Sequence, residues 1–221
     1  MNLKQIADEM QPRSMAARDW VFQVIRAAIV RGVLPGGMPL RQDEISAALS
    51  VSHIPVREAF RQLEAQGLVR IFPNRGAVVT KLTLQEMDDL MDVRAMLEVG
   101  ALRLAIPRMT EETFRAAQSI IEEELQTTEG YKLEELNAKF HATLYESVNN
   151  KMLFQLIEQL HANVDRYIRA YYNETENYII SKQQHIQLLT ACKNRDISQA
   201  CEILYEHIES TKQVLEPRMN E

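Results

Sequence analysis

One stretch, residues 51–67 (VSHIPVREAFRQLEAQG), constrains the fold of this chain more than any other. Its punctuation marks a single short helix. Ser52 is placed to cap the first turn through its hydroxyl. Pro55 falls inside that turn, where a missing N–H is harmless. Gly67 is placed to end the helix in a left-handed conformation. Val56, Ala59, Phe60 and Leu63 recur at three- and four-residue spacing and predict one buried stripe. His53, Arg57 and Arg61 follow at four-residue intervals, so they line an edge that points away from the core. A small apolar base beside such cations and donors suits contact with a polyanion.

The flanks sharpen this reading. Residues 42–49 predict a second short helix with Ile45, Ala48 and Leu49 on one side, joined through a tight connection at 50–52. The two form a helix-turn-helix. After Gly67 come two β-branched runs, 68–71 and 77–80, around the turn Phe72-Pro-Asn-Arg-Gly76. They predict a hairpin, so the unit is a winged helix with Arg75 at the tip of its wing. Charge supports a nucleic-acid partner at this end only. Residues 1–81 hold 11 basic and 7 acidic side chains, net +4, whereas the rest hold 14 and 24, net −10.

Leu34-Pro-Gly36, Leu40-Arg41, Val51-Ser52, Pro55-Val-Arg-Glu-Ala59, Leu63-Glu64, Gly67-Leu-Val69 and Asn74-Arg-Gly76 resemble the DNA-binding domain of GntR-type transcription regulators, over roughly residues 15–82. The resemblance implies DNA contact by Arg41, Ser52, His53, Arg57, Arg61, Asn74, Arg75 and Gly76. His53 stands where the family usually carries arginine, so the resemblance does not fix which base pair that position reads.

Glycine and proline thin out beyond the wing: only Gly100, Gly130, Pro107 and Pro217 remain after residue 77. The expected fold is therefore mainly α, a winged helix-turn-helix at 15–82 followed by an all-helical bundle at 83–221. Residues 1–14 show weak periodicity and are expected to form a flexible arm. Thr83 and Glu86 form a capping box opening a helix that runs to Pro107. Further helices are predicted near 110–128, 131–148, 151–173, 175–194 and 196–215. No run reaches the length of a membrane span and no apolar signal core opens the chain. Two cysteines without ligand spacing fit a reducing cytoplasm.

Four of the five histidines lie in the helical half. Asn137 and His141 share a face with Leu144, Tyr145 and Val148. His185 sits among Leu188, Leu189 and Cys192, and His207 among Ala200, Ile203 and Leu204. The last two helices turn near Arg195, ten residues after His185 and twelve before His207. At about 1.5 Å per residue both lie roughly 15–18 Å from the turn, so they stand level in an antiparallel pair. Three inward imidazoles and an amide oxygen would make an open site for a divalent metal: zinc, with nickel or manganese as alternatives. Hydrogen-bonded core histidines remain the alternative reading. His161 is expected to be packing or partly exposed, Glu122–Glu124 a solvated face, and Glu134 and Glu146 off the inward face.

The bundle resembles the effector domain of the FadR-like branch of GntR regulators, an FCD-type domain. Its ligand pattern falls on Asn137, His141, His185 and His207, with Asn137 where aspartate is common. Arg94 matches the first-helix arginine that the family places toward its effector pocket. The resemblance implies a homodimeric repressor of operator DNA, not an enzyme, controlled by a small organic acid at the metal site. The alternatives are a metal-free ligand-responsive regulator and a metal-dependent hydrolase with a DNA-binding domain.

Overall fold

In the computed structural model, which describes residues 2–10, 15–73, 75–128, 130–171 and 175–215, the chain divides into two units, Met1–Leu82 and Thr83–Glu221. The first opens on a helix, α1 (Leu3–Glu9), where the sequence suggests a loose arm. The Gln5 amide N–H donates to the Asn2 side chain at 3.0 Å, and the Asn2 N–H donates back to Gln5 Oε1 at 2.7 Å. Ile6 is fully buried. The Trp20 indole N–H reaches the Met10 carbonyl at 2.7 Å, and Arg31 pairs with Glu9 at 2.6 Å, which fastens α1 to α2 (Ala17–Val30). A seven-residue helix spans too few turns for periodicity to reveal it.

Then come β1 (Pro39–Leu40), α3 (Gln42–Leu49), α4 (His53–Ala65), β2 (Val69–Phe72) and β3 (Gly76–Val79). The sheet order is β1-β3-β2, all antiparallel, with Val69 opposite Val79 and Phe72 opposite Gly76. Pro39, which cannot donate to a ladder, sits on the edge strand β1. Gly76 has φ +83°, and a Cβ there would collide with the Leu40 carbonyl oxygen, so the wing closes onto β1 only with glycine. Val56, Ala59, Phe60 and Leu63 of α4 join Val21, Val24 and Ile25 of α2 in the core. Ser52 takes the N-cap backbone position, but its exposed hydroxyl makes no capping bond, contrary to the sequence expectation.

The described elements of the second unit are all helices: α5 (Leu84–Ala105), α6 (Glu111–Gln126), α7 (Gly130–Tyr145), α8 (Lys151–Tyr171), α9 (Thr175–Lys193) and α10 (Ile197–Leu215). Short 3-10 turns follow α5 and α7. Thr83 accepts from the Glu86 N–H at 3.2 Å and Glu86 accepts from the Thr83 N–H at 2.8 Å, completing the predicted capping box of α5. Arg195, in left-handed conformation at the α9–α10 turn, donates to the Ile106 and Met109 carbonyls and lies over the Phe114 ring. This pins the hairpin that carries His185 and His207. None of the described helices is long and apolar enough to cross a membrane.

Candidate nucleic-acid interface and metal centre

In the first unit, α3 and α4 meet at Ser50, whose φ of +55° makes the sharp turn of the helix-turn-helix. Burial of Val56, Ala59, Phe60 and Leu63 leaves Arg57 and Arg61 exposed on the opposite edge. A groove between α4 and the wing is lined by Arg41, Arg57, Arg61, Arg75 and Gly76, with Phe72 at its side. Four cations thus converge although they come from three elements. Ser52 and His53 are exposed at the start of α4, and His53 Nδ1 stands 3.4 Å from the Asp43 carboxylate. Arg41 stands 3.8 Å from Glu44. Asn74 lies outside the described residues.

In the second unit the structure brings His141, His185 and His207 together from α7, α9 and α10. One nitrogen of each lies within 4.8 Å of the others, and all three residues are buried. The Nε2 atoms of His141 and His207 are 3.4 Å apart. Two nitrogens each about 2.1 Å from a tetrahedral zinc stand about 3.4 Å apart.

The other ring nitrogens explain which way the lone pairs face. His185 Nδ1 lies 2.9 Å from the Glu124 carboxylate, and His207 Nδ1 lies 2.9 Å from Gln184 Oε1. Both partners accept, so both Nδ1 atoms carry the proton. The Tyr145 hydroxyl donates to Glu98 at 2.8 Å, which leaves its oxygen to accept from His141 Nδ1 at 3.3 Å. With Nδ1 engaged elsewhere, the Nε2 atom of each ring is the one left to face the other two. His185 Nε2 is buried with no hydrogen-bond partner. Three facing lone pairs repel one another, and a cation among them removes both the repulsion and the orphaned acceptor. Burial first, then the neighbouring imidazoles, hold His141 and His207 well below the usual histidine range, although Glu98 pulls the other way. Those two rings are therefore neutral, as ligands must be.

Asn137 Oδ1 is buried without a hydrogen bond and lines a cavity of about 20 Å³ shared with His207, Arg94, Glu124, Glu134 and Lys182. That is room for roughly one water or ion. Arg94 reaches this cavity fully buried, with its Nε 2.5 Å from Glu98 Oε1. Burial opposes the charge on Glu98, but Arg94 and then His161 outweigh it and hold the carboxyl well below the usual range.

Several sequence expectations are corrected here. Glu124 is not on a solvated face: it is 2% exposed and orients His185. Its place after Phe114, Ala117 and Ile121 at helical spacing is the signal that identifies it. Glu134 is buried and lines the cavity, whereas Glu146 is exposed. His161 is buried and meets Glu98 at 2.9 Å, so it belongs to the shell around the centre. Glu98, Tyr145 and Gln184 were not legible as site residues. Only the i,i+4 spacing of Arg94 and Glu98 hints at their pairing.

Comparison with known proteins gives the family. Residues 17–79 match the description of bacterial regulatory proteins of the gntR family, and residues 89–210 match the FCD domain. The HTH-type transcriptional repressor RspR of Escherichia coli (strain K12) is 27% identical over 201 residues, covering 88% of each chain. The gluconate operon transcriptional repressor of Bacillus licheniformis is 25% identical over 185 residues, covering 78% of this chain and 75% of that one. The crystal structure of a GntR family transcriptional regulator from Pseudomonas syringae pv. tomato str. DC3000 is 33% identical, with a TM-score of 0.57, covering 99% of this chain and 94% of that one. E. coli McbR/YncC shares the fold at a TM-score of 0.82 and 22% identity, over 92% and 99% of the two chains. A winged helix-turn-helix joined to an all-helical FCD domain, matched along nearly its whole length, makes this chain a member of the GntR family of bacterial transcriptional regulators.

Proposed function

We propose that this regulator is a metal- and metabolite-responsive repressor acting on operator DNA in the cytoplasm. Arg57 and Arg61 read or brace the major groove, His53 and Ser52 contact it at the start of α4, and Arg41, Asn74, Arg75 and Gly76 hold the flanking backbone. A single winged helix makes few base contacts, so two copies act on a two-fold operator. That two relatives bear the name of repressor supports repression.

His141, His185 and His207 hold one divalent ion, with Asn137 as the weakest fourth ligand. The observation that carries this reading is the convergence of three Nε2 lone pairs whose Nδ1 partners are all fixed. Zinc fits the imidazoles, and nickel or manganese suits the same donors. Such an ion supplies a Lewis-acidic anchor for the carboxylate of a small organic acid. Arg94 and Lys182 stand at the same cavity and favour an anionic effector. Effector shifts operator affinity only by binding the DNA-competent and DNA-incompetent arrangements unequally.

The test begins with metal analysis of protein purified without chelator or a histidine tag. One ion per chain is expected, along with a rise in melting temperature on adding zinc, nickel or manganese. Mobility shifts with a panel of organic acids then follow, for the parent and His185→Ala. Protein that carries no stoichiometric metal and whose melting responds to none of the three ions sinks the reading. Metal-free protein that still releases operator with an acid favours the metal-free alternative.

A further inference from the structure

The leading turn of α4 carries a large apolar side chain that the core does not use. Ile54, the second residue of the helix, is 62% exposed. Val56, Ala59, Phe60 and Leu63 are buried almost completely. At about 100° per residue, Ile54 projects within roughly 10° of the direction opposite the mean of those four. No small rotation of the helix could bring it into the core.

The residues that share this outer face are polar. His53, Arg57, Glu58 and Arg61 lie to either side of Ile54, and all four are exposed. Arg57 and Arg61 follow Ile54 by three and seven residues, so they stand in line with it along the helix. These two, with Arg41 and Arg75, are the cations that line the groove between α4 and the wing. A lone isoleucine scattered on a surface needs no explanation. One at the centre of a face otherwise given to charge does. Nor does the helix gain from it, since β-branching lowers helix propensity and an unbranched polar residue would hold the first turn at less cost.

The chemistry of the groove that this face would enter says what Ile54 meets. In the major groove the base pairs show hydrogen-bonding atoms and one apolar group, the C5 methyl of thymine. An aliphatic side chain has neither donor nor acceptor, so it discriminates through that group. We infer that Ile54 is a specificity-determining residue that packs on a thymine methyl in the major groove, close to the base pair that Arg57 contacts. Three helical residues advance about 4.5 Å, and successive bases of a strand stand about 3.4 Å apart. The thymine therefore falls within two base pairs of the one that Arg57 contacts. Cytosine or a purine at that place would set an amino or carbonyl group against the isoleucine and leave it without a partner.

This inference rests on the reading that α4 enters operator DNA, and the experiment keeps the two apart. An operator is selected from a randomised duplex pool with the full chain, and Kd is measured by mobility shift at fixed salt. Each thymine of the half-site is then replaced in turn by deoxyuridine, which keeps every hydrogen-bonding atom and lacks only the methyl. One replacement, within two base pairs of the position that Arg57→Ala relaxes, should weaken binding by the parent about fourfold, the worth of one buried methyl, and about fifteenfold when made in both half-sites. Ile54→Ala should bind the thymine operator more weakly by at least the same factor, yet bind the thymine and deoxyuridine duplexes equally, which closes a protein–DNA cycle on this one contact. Ile54→Val should retain part of the discrimination. Far-UV circular dichroism and melting should stay unchanged in both variants, because the residue is exposed. A parent indifferent to deoxyuridine throughout that window, or a selected half-site with no thymine in it, overturns the inference while operator binding stands. So does an Ile54→Ala chain that keeps the full deoxyuridine penalty, since another residue then holds the methyl. A parent chain that enriches no sequence from the pool removes the operator reading and this inference with it.

Discussion

Glu98 is the most sensitive point of the helical unit, and Glu98→Gln should destabilise it severely. The carboxylate is 0% exposed and takes hydrogen bonds from Arg94 at 2.5 Å and Tyr145 at 2.8 Å, with His161 at 2.9 Å. Glutamine preserves the volume and one acceptor oxygen. It removes the charge, and Arg94, 1% exposed, is left as a buried cation with Asp165 the other acid acting on it. Breaking a buried pair from one side costs about 3–5 kcal/mol, most of it the desolvation of the stranded partner. For a unit of this size that lowers the melting temperature by about 10 °C. Differential scanning calorimetry of the full chain should show the loss in the transition of the helical unit, with the winged-helix transition unmoved. Arg94→Met added to Glu98→Gln should recover at least half of the loss, because both buried charges are then gone. The sign with pH follows from the depressed carboxyl. Its stabilisation is complete above the ordinary value near 4.5 and is lost as pH falls below it toward the folded value, so parent and variant should converge there. A variant within about 0.5 kcal/mol of the parent at neutral pH, a surface-like effect, would refute the hub role assigned to Glu98.

Arg57→Ala should weaken operator binding by about 1–3 kcal/mol and relax preference at one base pair, read by mobility shift at fixed salt. Arg75→Ala should instead weaken binding across sequences and lower the salt slope by about one unit; an unchanged slope argues against phosphate contact. Glu124→Ala should reduce metal affinity about 10- to 100-fold in competition with a chromophoric chelator, since His185 then loses the partner that aims it, and unchanged affinity would show the ring is held by packing alone. Because burial keeps His141 and His207 neutral below the ordinary value of 6.5, metal should be retained as pH falls through about 6.5, and release starting at that value would contradict the depressed pKa values.

How much was legible depended on whether a residue's role was local or assembled. Residues 42–80 announce their elements because helical spacing, turn glycines and alternation act within a few positions, and α4 forms with the stripe its spacing predicts. The levels of His185 and His207 follow from counting back from one turn, and their ring centroids lie 4.9 Å apart. Glu124 and Glu98 resisted this treatment. An acid on an apolar stripe looks misplaced until the imidazole it meets is known, and those partners are 61 and 63 positions away. α1 failed for the opposite reason: it is too short to show a period, and its anchors, Trp20 and Arg31, lie on another helix.

Arg94, Glu98, Tyr145, His161, the three imidazoles and Glu124 form one contiguous polar set inside the helical unit. Glu98 joins α5 to α7 through Tyr145 and to α8 through His161. The three imidazoles join α7 to α9 and α10, and Glu124 adds α6. Tyr145 and His141, one turn apart on α7, belong to both sets. A cation held by the three rings would therefore act on the same turn that Glu98 holds. The outer face of α5 carries the exposed Val93 and Leu104. Two faces of one rigid helix cannot be moved independently, so a shift at the inner face is felt at the outer one.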